Sequence, residues 1–288
     1  MKVAVTGTSG QAALSLRERA AAHGIDVAFV GRPVFDFENL ETIGPALRAA
    51  RPDLVVNAAA FTAVDLAEND EATATRVNGD AAREAAAQAA RSIFRPTVCS
   101  TAPRSSLSRG GHGRADKRLL ASEIAVATAT GNQVILRTAW IYSPFGKNFV
   151  RTMLALGCNR RAVSVVADQI GTPSYAANIA DGILAIADSL AEAPKDASLR
   201  GIFHLAGQDA ATWTGLAEAT FQAAEARGRA RVRVERITSA DYPTPARRPA
   251  NLKLDCAKLH LRYGVALPYW RQSVKLCVDR LLQGEAKG

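Results

Sequence analysis

The stretch Val3-Ala4-Val5-Thr6-Gly7-Thr8-Ser9-Gly10-Gln11-Ala12-Ala13 constrains this chain more than any other, because an apolar run breaks into glycines and resumes as an amphipathic helix. That order predicts a strand, a phosphate-holding turn and a helix start. A pyrophosphate needs backbone N–H groups at close range and a helix N-terminus pointing at it, so side chains have to be absent where the backbone approaches. Gly7 and Gly10 supply that absence, and Gln11 and Ala12 complete the candidate loop. The third glycine of the usual G-x-G-x-x-G pattern is Ala13, and the first spacing is G-x-x-G. An ordinary strand-to-helix turn would read the same way, so the loop alone does not decide the chemistry.

The next residues repeat the unit. Helix formers run from Ala13 to Ala22, His23-Gly24 ends them, and Val27 to Val30 is a second short strand. An acid after this strand suits the ribose hydroxyls of NAD, whereas an arginine there accommodates the extra phosphate of NADP. Gly31-Arg32 occupies the position, which favours NADP unless Arg32 is only a solvated loop residue, and Asp36 and Phe37 follow as further candidates at that end of the cofactor. A helix from Leu40 to Ala50 leads to the continuous apolar run Leu54 to Asn57, and the small residues Ala58, Ala59 and Ala60 let a flat ring lie at its carboxyl end. Ala60, Phe61 and Thr62 are therefore placed beside the nicotinamide ribose and ring. Strands alternating with helical runs predict an α/β fold, a Rossmann-like doubly wound parallel sheet with a smaller C-terminal substrate lobe.

Composition narrows the partners. The 288 residues carry a formal charge of +9, which raises nucleic acid as a partner. Much of the excess falls in one block, Arg104, Arg109, Arg114, Lys117 and Arg118, that holds no aromatic residue for base stacking. No nucleic-acid or membrane partner is expected, since no apolar run approaches the roughly 20 residues of a membrane span. Met1-Lys2-Val3 enters a strand directly, without a signal-peptide pattern, so a cytoplasmic protein is expected. The four cysteines are scattered without metal-ligand spacing and are expected to be free thiols, and no metal site is predicted.

Longer runs are more specific. Arg51 through Glu68, centred on Leu54-Val55-Val56-Asn57-Ala58-Ala59-Ala60-Phe61-Thr62, closely resembles the third-strand signature of the dTDP-4-dehydrorhamnose reductase family, extended short-chain dehydrogenases. Val77-Asn78, expected to open the next alanine-rich helix to Ala90, then Val134 to Tyr142, Gly146 to Phe149, Asp168 to Pro173, Gly201 to Gly207 and Tyr242 to Pro249 follow in the family's order, although Leu252 stands where a serine is expected. The resemblance implies reduction of dTDP-4-dehydro-L-rhamnose to dTDP-L-rhamnose by NADPH or NADH, with Trp140, Asp168, Gln169, Arg247 and Arg248 on the sugar nucleotide. It also implies a monomer or homodimer and allows Mg2+ between subunits. It divides the chain into a cofactor domain, 1–150 plus about 174–206, and a substrate lobe, 151–173 and 207–288. His204 receives no role.

One block departs from the family. The reaction needs a tyrosine to donate a proton and a lysine four residues later, on a helix reading Tyr-Gly-x-x-Lys-Leu-Ala-Gly-Glu. Between Val77 and Tyr142 there is no tyrosine; Ser100-Thr101 fill the Ser-Thr positions of the fourth strand, leaving Thr101 as the catalytic candidate, and only Leu120-Ala121-Ser122-Glu123 matches the helix motif. Codons for Ser92 to Ala102, read from their third base, can encode His-Leu-Ser-Thr-Asp-x-Val-Phe-Asp-Gly. Those for Ser106 to Leu119, read from their second base, can encode a family-like loop ending in Val-Tyr. Frame slips over about 92–119 account for both the lost motif and the added charge; a genuine basic insert is the alternative. The chain as written is expected to be impaired and without order from Pro103 to Leu119, with Tyr142 the first substitute donor to consider. A non-catalytic NADP-binding regulatory subunit on the same fold is the rival function.

Overall fold

The computed structural model describes residues 1–59, 70–90, 97–101, 114–245 and 248–285, with backbone alone at 90, 97–101, 114–120 and 285. Its first half is a chain of strand-helix units: β1 (Lys2–Thr6), α1 (Gln11–Arg19), β2 (Asp26–Val30), α2 (Ile43–Ala50) and β3 (Leu54–Asn57). α3 (Glu71–Thr75) runs through a π turn, Arg76–Ala81, into α4 (Ala82–Ala90), and β4 (Thr97–Thr101), α5 (Arg114–Ala129) and β5 (Gln133–Arg137) complete the series. β10 (Gly201–His204) returns much later to pair with β5, giving one parallel sheet in the order β10-β5-β4-β3-β1-β2.

Alternation of side chains sorts the strands between two layers. Val3, Val5, Leu54 and Val56 face one core with Leu16 of α1 and with Ile179, Ile183 and Leu184 of α7 (Ala176–Glu192). Ala4 and Val55 face the other with Ile43 and Leu47 of α2 and Ala85 of α4. Because both faces are covered, the central residues of β1, β3 and β5 (Val3 to Val5, Leu54 to Val56, Val134 to Leu136) are apolar and buried on both sides, as parallel sheets favour. From β1 the chain passes first to β2 and then to β3 on the opposite side, so the topological switch falls between β1 and β3, where ligands of doubly wound sheets bind.

The remaining elements form a smaller layer around β6 (Ile141–Tyr142), α6 (Phe149–Asn159), β7 (Ala162–Val166), β8 (Ile170–Gly171) and β9 (Ser174–Tyr175). β11 (Ala211–Thr212), α8 (Trp213–Glu225), β12 (Arg233–Ile237), β13 (Asn251–Leu252), α9 (Ala257–Tyr263) and α10 (Trp270–Glu285) finish it. Tyr142, Val150, Leu216, Trp270 and Val274 make its core. The expected start of this lobe at 207 assigns α9 to it, whereas Leu259 and Leu267 pack in the core of the large sheet.

Two elements differ from expectation. The helix expected to open at Val77 begins at Glu71, where the Asp70 carboxylate caps it by accepting from Thr73 N at 3.1 Å. α5 begins at Arg114, inside the stretch expected to lack order; Arg114 to Ala129 contains no glycine or proline and is rich in Ala, Leu, Lys and Arg, all strong helix formers. No described helix is long and apolar enough to cross a membrane.

Candidate functional site

Among the described residues, Gly7, Gly10, Gln11, Ala12 and Arg32 lie at the carboxyl ends of β1 and β2. Gly7, at φ +86°, leaves β1 with its N–H donated to Val30 O at 2.8 Å, and a Cβ on it would lie 3.3 Å from that of Ala59. Asn57 shapes the facing turn: its Oδ1 accepts from Thr6 Oγ1 at 2.6 Å and from Ala59 N at 3.2 Å. Gly10 caps α1 with no side-chain acceptor, and the first turn holds no acid, so the orphan N–H groups and positive end of the helix are left open to an anion. Around Gly10 the nearest atom a Cβ would meet is Ala58 O at 3.8 Å. The fold therefore leaves room there, and this cradle fits a dinucleotide pyrophosphate. Thr138, just beyond β5, buries a hydroxyl with no partner among the described residues.

Arg32 lies at the end of β2 with its guanidinium engaged: Nε donates to Asp36 Oδ2 at 2.9 Å, and Nη2 to Glu38. The Asp36 hydrogen bond, then Glu38, raises the Arg32 pKa; the Glu38 amide, followed by Arg32, holds Asp36 below the ordinary carboxylate range. The Phe37 ring is buried in the core, edge-on to Phe35 at 5.0 Å, so only its backbone is available to a ligand. Ala60, Phe61 and Thr62 lie outside the described residues. Thr101 ends β4 in register with Arg137, which forks onto the buried carboxylate of Glu123 through two 2.8 Å bonds.

Trp140 follows β5 at φ +45°, and its indole stacks on Trp213 with centroids 3.6 Å apart and planes within 12°. Gly171 makes room for it, since a Cβ there would come within 2.5 Å of the indole. Phe149 leans on Trp213 at 4.7 Å, which extends the aromatic slab. Gln169 spends both ends of its amide on this frame, accepting from Trp213 Nε1 at 3.1 Å and donating to Ser239 Oγ at 2.9 Å. The Asp168 carboxylate accepts from Ser239 Oγ at 2.7 Å and Ser239 N at 3.0 Å, bonds that hold its pKa below the usual range. In this arrangement Asp168 and Gln169 fasten the segment that leads to Tyr242 and Arg248. Arg248 is exposed, and Arg247 lies outside the described residues.

Trp213 and Ser239 carry no sequence signal of a site; Thr212-Trp213-Thr214 reads only as a capped helix start. Tyr142 is not at the edge at all. It is 1% exposed, its hydroxyl donates to Trp270 O at 3.2 Å, and burial pushes its pKa up, so it cannot replace a proton donor in the cleft. His204 donates Nδ1–H to Asp255 O at 2.9 Å. Cys158, Cys256 and Cys277 are free thiols, and no three His, Cys, Asp or Glu side chains among the described residues come together as a metal site.

The sequence matches the RmlD substrate binding domain family over residues 1–101 and 112–283. It is 39% identical over 303 residues to the dTDP-4-dehydrorhamnose reductase of Burkholderia thailandensis, covering 98% of this chain and 99% of that protein. The reductase of the same name from Sinorhizobium fredii is 38% identical over 296 residues, with 98% of each chain covered. Among solved structures, the fold matches a dTDP-4-dehydrorhamnose reductase from Bacillus anthracis in complex with NADP, at TM-score 0.85 and 24% identity, over 97% of this chain and 99% of that one.

Proposed function

We propose, from the premise that this chain belongs to the RmlD family of dTDP-4-dehydrorhamnose reductases, that it binds NAD(P)H and the dTDP-keto sugar and serves the reduction to dTDP-L-rhamnose. The observation that carries the reading is the open, acid-free N-terminus of α1 at the β1/β3 switch point, beside an aromatic slab on the adjoining lobe. When bound, the nicotinamide supplies the hydride. The pyrophosphate would rest on the backbone of Gly7, Gly10, Gln11 and Ala12, with Arg32 and Asp36 toward the adenosine ribose and Ala60, Phe61 and Thr62 toward the nicotinamide. Trp140 offers a ring face and Arg247 and Arg248 positive charge to the sugar nucleotide, while Asp168 and Gln169 act by holding Ser239 and Trp213 in place. NADP in the Bacillus anthracis protein supports the phosphorylated cofactor. The division into two lobes, with α9 on the cofactor side, a cytoplasmic location and a monomeric or dimeric state complete the reading.

The proton donor is the weak point of this chain. Leu120 to Glu123 fixes the register of the family's helix motif, and its Tyr-Gly-x-x-Lys then falls on Ala115, Asp116, Lys117, Arg118 and Leu119. The family match breaks between 101 and 112, within the stretch where frame slips are inferred. The chain as written is thus a binder with reduced turnover, and the regulatory-subunit reading draws its support from the same loss. Calorimetric titration of the full chain with NADPH and with dTDP tests the proposal. Binding of both is expected, and failure to bind either sinks it.

A further inference from the structure

Gln11 is the first residue of α1, directly after Gly10 of the candidate pyrophosphate cradle, and its side-chain oxygen is engaged by the protein itself. Its Oε1 accepts from Ser143 Oγ at 2.8 Å and from Asn148 Nδ2 at 3.2 Å. Both donors belong to the loop that runs from the Trp140 slab into α6. Ser143 is fully buried; its single hydroxyl proton is shared between Gln11 Oε1 and Phe145 O at 2.9 Å, and its oxygen accepts from Phe145 N at 3.1 Å. Asn148 closes it by donating to Ser143 O at 2.8 Å and caps α6 by accepting from Arg151 N at 3.2 Å. The loop is a rigid unit, and Gln11 is its attachment to the helix that faces the cofactor.

A second attachment lies two turns along the same face of α1. Glu18, seven residues after Gln11, takes a fork from Arg280 of α10, one arm of it 2.6 Å long, and the same guanidinium covers the Phe145 ring at 5.0 Å. α1 is therefore keyed at Gln11 and Glu18 to one loop, whose other end carries Trp140. An anion that orders the first turn of α1 fixes the Gln11 side chain and, through it, the loop; a nucleotide that orders the loop fixes Gln11 in turn. Ordering achieved by one ligand no longer has to be supplied by the other, which makes the coupling positive.

We propose that Gln11 is a positioning residue that couples the two sites, so that dinucleotide and dTDP-nucleotide tighten each other's binding through Ser143 and Asn148. This rests on the proposed function for the identity of the two ligands. The coupling is a ratio of affinities and does not require turnover, so the chain as written can be used. Titrating dTDP into the full chain with and without saturating NADPH is expected to show dTDP binding tightened about fivefold or more, and titrating NADPH with and without dTDP to give the same factor, because such coupling is reciprocal. In Ser143→Ala and in Gln11→Ala the factor should fall to within about twofold of unity, and the double variant should lose nothing further. A purely structural role would alter both affinities and leave their ratio in place. Both ligands binding with a factor of one in the parent chain, or a full factor surviving in both variants, overturns the coupling while leaving the proposed function standing. Absence of binding by either ligand overturns the two together.

Discussion

Gly7 and Gly10 look alike in sequence and differ in what they are for. Gly7 sits in the left-handed region against Ala59, so the fold itself requires it, whereas Gly10 has ordinary backbone at φ −69° and would bring a Cβ no closer than 3.8 Å to its neighbours. Gly7→Ala should destabilise the chain by about 1–2 kcal/mol, the left-handed penalty for an L residue. Gly10→Val should leave the melting temperature nearly unchanged and abolish NADPH binding; retained affinity would remove this loop from the site. Arg32 gives a second pair of variants. On the proposed function, its two acidic partners would compete with a cofactor phosphate and would also offer acceptors to ribose hydroxyls. Glu38→Gln should shift the NADPH-to-NADH affinity ratio toward NADPH by about two- to fivefold, in line with exposed ion pairs of 0.2–1 kcal/mol, and Arg32→Ala should shift it the other way. At this scale the sequence shows the glycines and Arg32 through their position after strands. It is silent on Trp213 and Ser239, whose roles arise from pairings with Trp140 and Asp168 across the fold.

Among the elements, β1 to β3 are legible because short continuous apolar runs are closed by Gly7 and Gly31 after β1 and β2 and by small residues after β3. α5 is harder, and two features hold it: Val126 packs with Ala82, Ala86 and Ile135, and an ion pair ties it to β5. Glu123, 1% exposed in its side chain, is forked by Arg137, and the hydrogen bonds to Glu123 raise the arginine's pKa against the burial that lowers it. That pair ties α5 to the carboxyl end of β5 at the residue where the family motif resumes. Arg137→Ala should cost about 3–5 kcal/mol, because it removes the guanidinium that forks onto a buried carboxylate. The double change Arg137→Met with Glu123→Leu should cost much less, and urea unfolding of the two variants checks the difference. Were the single and double variants equally unstable, α5 would be held by its apolar face alone. The π turn at Arg76–Ala81 was beyond sequence reading, since the helix formers on either side of it predict an uninterrupted helix.

Across the whole molecule, the return of the chain from the second lobe is the feature that sequence boundaries miss. After β13 pairs with β8 in the second lobe, residues 255–267 come back to the large sheet, and His204 at the end of β10 receives them through its bond to Asp255 O. Burial first, and then the Arg137 charge, lowers the His204 pKa below its ordinary value, while Asp255 and Glu123 oppose the shift. A histidine with a depressed folded pKa favours the neutral ring, so its stabilisation is complete above about pH 6.5 and is lost as pH falls through the folded value. The parent chain should therefore lose more thermal stability than His204→Gln between about pH 7.5 and 5. Parallel losses would show that this junction does not titrate.

On the proposed function, binding and chemistry should separate in this chain, and that separation is the sharpest property to measure. The cradle around Gly7 and Gly10 and the slab of Trp140 and Trp213, the proposed places for the two ligands, are formed in the fold. The groups that would tune and deliver a proton are absent from the sequence: no tyrosine lies between Val77 and Tyr142, Lys117 has Gly113 four residues before it, and Tyr142 is sealed in the second core. A positioned general acid is worth about 10² to 10⁴ in rate, so turnover of the keto sugar by the chain as written should fall by at least that factor relative to a version in which the overlapping frames over 92–119 are restored and Tyr-Gly-x-x-Lys precedes Leu120. NADPH affinity should differ far less between the two, because the residues that hold the pyrophosphate are common to both. Resequencing the gene from Ala90 to Glu123 separates the explanations for the loss: overlapping frames that encode the missing strand and loop support the slips, and frames that do not make the basic segment a native insert. Equal turnover by the two chains would show that neither the tyrosine nor the lysine carries the proton transfer, and would move the search for the donor to Thr101 at the end of β4.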